Sequence, residues 1–163
     1  LSMRRFDDIP KSAKYRRDIE FLATLGYIDG KADGLFHPEE TMTRRDITLA
    51  IAKQKGLKPK FLDYDPYLDI PLTDPDAGML VAAVDEGITF AFADGNFKPD
   101  ELVSIADAFK MLNNSGVIDS EDVVVSKEPI KRFEYALFLK QIRRYDQRVI
   151  YLTDWDEGYN LPK

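Results

Sequence analysis

The chain contains no cysteine, and it has only one histidine and one tryptophan among 163 residues. The absence of cysteine excludes disulfide bonds, thiol catalysis and cysteine-ligated zinc. The single histidine, His37, lies in an acidic, proline-flanked stretch, and no nucleophile-elbow pattern accompanies it. No phosphate-binding loop and no dinucleotide fingerprint are present. We therefore expect no catalytic residue, no bound metal and no cofactor, and we predict that the chain is not an enzyme.

An excess of positive charge and long apolar runs are also missing. The chain has 23 lysines and arginines and 29 aspartates and glutamates, which gives a net charge of −6, and it has no long basic run. Binding of nucleic acid through a basic face is therefore not expected. No stretch approaches the roughly 20 apolar residues of a membrane helix, so membrane insertion is not expected either. The 44% apolar residues are nonetheless sufficient for a folded core.

The sequence repeats itself at a shift of 61 positions without a gap. Residues 8–10 fall on an identical segment further along the chain, and Phe36 falls on Phe97. The matching positions are turn formers, loop aromatics and helix-start residues, which together determine a backbone path. We infer that one structural template is used twice. Further identical pairs are Gly26 and Gly87, Gly34 and Gly95, Pro38 and Pro99, Glu40 and Glu101, and Asp46 and Asp107.

Each copy is predicted to form a helix, a loop and a second helix. In the first copy an apolar stripe with helical spacing ends at Gly26, and a turn follows at residues 33–34. Phe36 is expected to enter the core from the loop. Thr43 begins the second helix, where Asp46 completes a capping box. The second copy repeats these features, so the architecture is predicted to be mainly α.

A third, incomplete copy follows the second. Residues 116–119 resemble residues 26–29, and residues 130–134 resemble the helix start at 42–46. Its first helix is missing and its loop is shorter, with residues 123–125 as a strand-like replacement. Because each copy alone is too small to bury its apolar stripe, neighbouring copies must pack on one another.

The final helix, from about residue 129 to 144, is apolar on two faces and is expected to lie at the centre. The aromatic tail either packs back on the helices or begins a further region. The predicted units are repeat 1 at residues 6–56, repeat 2 at 67–115, an incomplete repeat 3 at 116–146, and the aromatic tail at 147–163.

These elements are similar to the S-layer homology repeat. That repeat has Phe-x-Asp-x-Pro, a helix ending in Leu-x-x-x-Gly, then Asp-Gly-x-Phe-x-Pro, and a second helix opening with Ile-Thr-Arg-Ala-Glu. Residues 6–10, 22–27, 33–38 and 42–46 match it closely, the second copy matches in part, and the third is fragmentary. The resemblance implies a pseudo-threefold helical prism. It also implies a non-catalytic module that attaches secreted bacterial proteins to the cell envelope by binding wall polysaccharide between repeats.

The resemblance also implies particular site residues. The ligand-facing arginine of the family corresponds to Arg44 and Arg132, and its loop glycine corresponds to Gly34 and Gly95. Thr43, beside Arg44, is counted with the ligand-binding residues, although capping of the helix also explains it. The glycines are equally explained as turn residues with positive φ.

The family tryptophan falls on Lys14 and Pro75 here, so no aromatic plate for a sugar ring is expected at those two positions.

A separate physical argument favours an anionic ligand at Arg44. An arginine at the first position of a helix gains nothing from the helix dipole, which favours acids there. With free backbone N–H groups beside it, Arg44 could bind a carboxylate of a polysaccharide. The alternative is an ordinary surface arginine that pairs with Asp46 or Glu40.

Residues 29–40 lie near the spacing of a calcium-binding EF-hand loop. Lys31 occupies a ligand position, where a cation repels calcium, and the second copy has Phe90 and Phe92 in place of oxygen ligands. We therefore expect no calcium site.

Two functions remain open. The first is anchoring at the bacterial cell surface, outside the cell, through an anionic envelope polysaccharide held by Arg44 and Arg132. The alternative is a protein–protein assembly module of a surface layer or another large particle that has lost glycan binding.

Overall fold

The computed structural model describes residues 3–158, and it describes their side chains apart from those of residues 151 and 153–158. The described backbone is helical, and pairing between extended segments is limited there to isolated bridges. The predicted mainly α fold is therefore confirmed. The helices are α1 Arg16–Thr24, α2 Arg44–Gln54, α3 Ala77–Asp85, α4 Ile105–Ser115, α5 Arg132–Phe138, a 3-10 turn Leu139–Gln141, and α6 Tyr145–Gly158.

The two full copies bury equivalent aromatic residues. Phe36 and Phe97 are both completely buried. Each ring packs against the aromatic residue that opens its copy, with centroids 5.3 Å apart for Phe6 and Phe36 and 5.5 Å apart for Tyr67 and Phe97. The prediction that these loop phenylalanines enter the core is confirmed.

An aspartate holds each of these loops. The Asp8 carboxylate accepts the backbone N–H of Phe36 at 2.9 Å and that of His37 at 2.7 Å. Asp69 accepts the equivalent pair in the second copy at 2.8 and 2.7 Å. His37 and Lys98 both have left-handed backbones, with φ of 56° and 55°. These aspartates therefore hold the loops in a conformation that L-residues avoid.

The helix caps follow the sequence prediction. Thr43 Oγ1 accepts the N–H of Asp46 at 3.2 Å, and Asp46 Oδ2 accepts the N–H of Thr43 at 2.9 Å. At the start of α4, Ser104 Oγ accepts the N–H of Asp107 at 3.1 Å. The capping role predicted for Thr43 and Ser104 is confirmed.

The segments that precede α2, α4 and α5 meet in a closed ring of backbone hydrogen bonds. Met42 donates to the Ile130 carbonyl at 3.0 Å, Ile130 donates to the Val103 carbonyl at 2.9 Å, and Val103 donates to the Met42 carbonyl at 3.3 Å. The three side chains are buried. We call this feature the backbone ring. It joins the three copies through equivalent positions, while the pseudo-threefold prism as a whole stays a prediction.

The helices pack around this ring. α5 contacts both α1 and α4, and α2 packs on α3. Most buried apolar residues belong to one core to which α1, α2, α4 and α5 all contribute. A smaller cluster joins α3 to the loop of the second copy. It consists of Ile70, Ala77, Leu80 and Phe97.

The prediction of one helix from about 129 to 144 is wrong. α5 ends at Phe138, the 3-10 turn follows, and Arg144 has a φ of 74° before α6 begins. Leu139 and Tyr145 are both buried, and this bend allows both to reach the core. α6 runs across the predicted boundary between repeat 3 and the aromatic tail at residue 146, and it buries Leu152. The aromatic side chains of the tail that we singled out, those of Tyr151, Trp155 and Tyr159, lie outside the described residues.

The strand-like segment predicted at residues 123–125 is also absent from the described secondary structure. Val123 and Val125 are exposed, and Val124 packs on the core. The carbonyls of Glu128 and Ser126 instead accept the first N–H groups of α4, at 2.9 Å each. The shortened loop therefore supplies hydrogen-bond acceptors for the first N–H groups of α4 without forming a strand.

Candidate ligand grooves between the repeats

Two related clefts lie where one repeat meets the next. Groove one has a volume of about 410 Å³ and lies between the loop of the first copy, α2 and Arg132. Groove two has a volume of about 540 Å³ and lies between the loop of the second copy, α4 and Arg44. Their walls occupy equivalent positions of the two copies. The pairs are Gly26 and Gly87, Tyr27 and Ile88, Ile28 and Thr89, Asp29 and Phe90, Met42 and Val103, Ala50 and Met111, and Lys53 and Asn114.

Arg44 is the first residue of α2, and its side chain points into groove two from the neighbouring copy. Its Nε donates to the Phe97 carbonyl at 3.1 Å, and its Nη2 donates to the Phe90 carbonyl at 2.6 Å. The guanidinium lies 4.9, 4.8 and 4.9 Å from the ring centroids of Phe90, Phe92 and Phe97. Arg44 is only 7% exposed, and burial lowers its pKa from the usual value.

Arg132 is the first residue of α5, and it makes the same contacts in groove one. Its Nε donates to the Phe36 carbonyl and its Nη2 donates to the Asp29 carbonyl, both at 2.8 Å. It lies 4.7 Å from the centroid of the Phe36 ring, and burial lowers its pKa. Neither Arg132 nor Arg44 forms an ion pair with any described side chain, that is, with those of residues 3–150 and 152. In each guanidinium Nη1 has no hydrogen-bond acceptor within the described atoms.

The local environment predicted for Arg44 is wrong in two respects. The backbone N–H of Arg44 donates to the Glu101 carbonyl at 2.9 Å, and that of Arg45 is bonded to the same loop, so these groups are not free. Arg44 also does not pair with Asp46 or Glu40, because Asp46 caps α2 and Glu40 pairs with a lysine. The side chain, and not the helix N-terminus, is the donor that remains for a ligand.

Each groove is lined by one residue whose buried hydroxyl has no hydrogen-bond partner among the described residues. Tyr135 lines groove one and Thr89 lines groove two, and the hydroxyl oxygens of both lack a partner within the described part of the chain. Burial raises the pKa of Tyr135, so its phenol stays protonated and can donate. Because buried polar groups nearly always have partners, each groove has unused hydrogen-bonding capacity beside its arginine.

The two grooves differ in the chemistry of their walls. In groove one Asp29 and Lys53 form an ion pair. In groove two the equivalent wall is aromatic, with Phe90 and Phe92 edge to face at a centroid distance of 5.2 Å. Phe90 is 59% exposed. Neither phenylalanine was predicted as a site residue, because both contact Arg44, which lies 46 positions before Phe90 and 48 before Phe92 in the chain.

The other predicted site residues do not line either groove. Gly34 and Gly95 are turn residues with φ of 80° and 88°, and neither belongs to the groove walls. The Thr43 hydroxyl caps α2. Of the five predicted ligand residues, the structure therefore brings Arg44 to groove two and Arg132 to groove one.

The carboxylates of the EF-hand-like stretch, residues 29–40, already have partners within the protein. Asp29 pairs with Lys53, and Glu40 pairs with Lys31. Asp33 accepts the N–H of Leu35 at 3.0 Å. Among the described side chains, no three from histidine or acidic residues gather into a metal-binding group.

A repeated helical scaffold with a cleft between neighbouring repeats is characteristic of a binding module. Residues 5–48 and 66–109 match the S-layer homology domain, and together they cover more than half of the chain. The chain belongs to the S-layer homology domain family.

Several bacterial surface proteins are similar to the chain. It is 31% identical to a surface layer protein of Brevibacillus choshinensis over 103 residues, which is 61% of the chain and 9% of that protein. It is 29% identical to the middle cell wall protein of Brevibacillus brevis, over 61% of the chain and 10% of that protein. It is 31% identical to cell surface glycoprotein 1 of Acetivibrio thermocellus, over 50% of the chain and 4% of that protein.

The chain therefore matches a tenth or less of the length of each of these relatives. Family and relatives identify it as a non-catalytic anchoring module located outside the cell, at the cell surface. Among the described residues no helix combines the length and apolarity needed to cross a membrane.

Proposed function

We propose that the chain anchors a bacterial surface protein by binding an anionic envelope polysaccharide in grooves one and two. The observation that carries this proposal is the state of Arg44 and Arg132. Arg44 is buried and Arg132 is half-buried, yet their described hydrogen bonds go only to neutral carbonyls. Buried charges in proteins are normally paired with an opposite charge. A carboxylate on the ligand would complete each site.

The available donors fit such a ligand. Nη1 of each arginine can donate a charge-assisted hydrogen bond to a carboxylate, a class of bond that contributes about 1.5–3 kcal/mol. The unpartnered hydroxyls of Tyr135 and Thr89 can bind sugar hydroxyls beside it. The net charge of −6 opposes an acidic polymer, but salt screens it over about 8–10 Å, so the local arginine decides the interaction.

Phe90 gives groove two an additional feature. Its exposed ring can pack against the apolar face of a sugar, as aromatic side chains do at binding sites. This ring stands in a different place from the family tryptophan, whose positions hold Lys14 and Pro75 here. Groove two is therefore the stronger candidate for holding a sugar ring, and groove one for holding a more polar part of the polymer.

The test is co-sedimentation with purified bacterial cell-wall material. We expect the double variant Arg44→Gln, Arg132→Gln to bind the wall at least tenfold more weakly than wild type, because both ligand-facing charges are lost. A matched control removes two exposed lysines outside both grooves, Lys58→Gln and Lys127→Gln, and should bind like wild type. Arg44→Lys with Arg132→Lys keeps the charge and should recover part of the binding.

Thermal unfolding of each variant shows whether the protein is folded at the assay temperature. If folded wild type and the folded Arg44→Gln, Arg132→Gln variant are retained equally, the grooves are not the polysaccharide site.

The alternative function, protein–protein assembly, is favoured by one specific feature. The segment between the first two copies exposes Phe61 at 95% and Tyr64 at 60%, and Leu68, at the start of the second copy, is 79% exposed. Exposed apolar patches of this kind often mark interaction surfaces. Light scattering during size exclusion tests this candidate: a monomer at all concentrations argues against self-assembly, and an oligomer that Phe61→Ser dissociates supports it.

A further inference from the structure

We propose a third binding site, on the outer face of α1, for a phosphate-bearing polyol or sugar polymer of the cell wall. A cavity of about 410 Å³ lies between the N-terminal segment and α1. It shares no lining residue with groove one or groove two. We call it the basic pocket. It is lined by Met3, Arg5, Lys11, Ala13, Lys14, Arg16, Arg17, Glu20 and Phe21.

The charge of the basic pocket is opposite to that of the whole chain. Five cations and a single carboxylate line it, in a protein with a net charge of −6. The carboxylate, Glu20, pairs with Arg16 at 3.1 Å. The other four cations, Arg5, Lys11, Lys14 and Arg17, have no ion-pair partner among the described side chains, those of residues 3–150 and 152. Like charges held together without counter-charges repel one another, and an anion that enters the pocket relieves this repulsion.

Glu20 adds an acceptor to the pocket lining. Glu20 is only 5% exposed. Its Oε1 accepts a hydrogen bond from Arg16, but its Oε2 has no donor among the described residues. A buried carboxylate oxygen needs a donor. A ligand that carries a hydroxyl near its phosphate satisfies both requirements, because the phosphate meets the cations and the hydroxyl donates to Glu20. In free phosphate the only hydroxyl groups are on the phosphorus itself, so donating one to Glu20 uses an oxygen that would otherwise meet the cations, whereas a separate polyol hydroxyl leaves the phosphate oxygens free for the cations.

The surroundings of the basic pocket favour a polymer over a membrane surface. The large exposed apolar side chains of the described part of the chain lie elsewhere, and none is found between residues 3 and 21. A membrane-binding face would usually add apolar side chains that enter the lipid. Phe21 is buried, and Arg17 covers its ring at 4.9 Å. The pocket is charged, its four unpaired cations are exposed to water, and its location at the cell surface makes it accessible to wall polymers.

The test is titration calorimetry of the full chain at low salt with glycerol 3-phosphate and with inorganic phosphate. We expect saturable binding of both, with glycerol 3-phosphate bound more tightly. The variant Arg5→Ala, Lys14→Ala should weaken both at least tenfold, because two of the cations that attract the phosphate are lost. The matched control Lys58→Ala, Lys127→Ala should leave both affinities unchanged. Glu20→Gln should strengthen inorganic phosphate binding and reduce the preference for glycerol 3-phosphate.

Three results would overturn the proposal: no saturable binding, equal weakening by both double variants, or binding to phosphatidylglycerol vesicles that far exceeds binding to glycerol 3-phosphate. The Arg44→Gln, Arg132→Gln variant keeps the basic pocket and should bind glycerol 3-phosphate like wild type. Failure of the basic pocket and failure of the grooves are therefore separate outcomes.

Discussion

Asp8 and Asp69 show how one residue type sets the path of each loop. Each carboxylate binds two successive backbone N–H groups, the first belonging to a buried phenylalanine and the second to a residue with positive φ. The phenylalanine carbonyl in the same loop then accepts from an arginine of another copy. The aspartates therefore position the carbonyls that hold Arg44 and Arg132 in the grooves.

Replacing either aspartate should cost stability. We expect Asp8→Ala and Asp69→Ala each to lower the free energy of unfolding by about 2–3 kcal/mol, because two N–H groups lose a charged acceptor. Urea unfolding followed by circular dichroism measures the loss. Asp7→Ala, at an exposed neighbour, should change stability by less than about 0.5 kcal/mol. Equal effects of Asp7→Ala and Asp8→Ala would contradict this role.

At the scale of elements, Arg45 ties α2 to the start of α3. Its Nη1 and Nη2 both donate to Asp74 at 2.8 Å, and Nη1 also donates to Asp76 at 2.8 Å. A planar fork of this kind is the strongest geometry for an arginine and a carboxylate. The hydrogen bonds from Arg45 lower the pKa of Asp74. The packing of α2 on α3 therefore depends on an ionised Asp74.

This dependence predicts a pH effect. Because the pKa of Asp74 is lower in the folded protein than in the unfolded chain, its contribution to stability is complete above the unfolded value of about 3.9 and is lost as the pH falls through the folded value. We expect Arg45→Gln to lower the free energy of unfolding by about 1–2 kcal/mol at pH 7 and by less at pH 3 than at pH 7. Urea unfolding at both pH values measures this difference. The exposed Arg143→Gln serves as control, and a deficit in Arg45→Gln that does not change with pH would refute the assignment.

The sequence predicted the helices of the two full copies because turn glycines, caps and apolar stripes agree there. It failed after residue 138, where no glycine or proline marks the end of α5. The bend there depends on a left-handed Arg144 and on burial of Leu139 and Tyr145, which only the assembled core determines. The two grooves could not be predicted from the sequence for a similar reason. Arg44 and Arg132 were found from the repeat pattern, but the partners that surround them belong to other copies.

At the scale of the whole molecule, the backbone ring makes the third copy necessary. Ile130 supplies one of its three hydrogen-bonded positions, and Tyr135 and Leu139 fill the main core. The two family matches end at residue 109, before these residues. The matched repeats alone therefore lack part of the core that covers them.

A truncated chain tests this conclusion. We expect residues 1–115 alone to show no cooperative thermal unfolding and poor dispersion of amide signals in NMR spectra, because the ring is open and the core is exposed to water. The intact chain serves as the reference. A well-dispersed spectrum with a sharp melting transition for the fragment would mean that two copies suffice.

The ring also bears on how quickly the protein folds. Met42, Val103 and Ile130 are far apart along the chain, so closing the ring requires long loops to form before their contacts can stabilise them. Helical proteins of this size usually reach the native state rapidly, since most of their contacts are local. Here the helices should appear early, and the rate of the final step should depend on bringing three distant segments together.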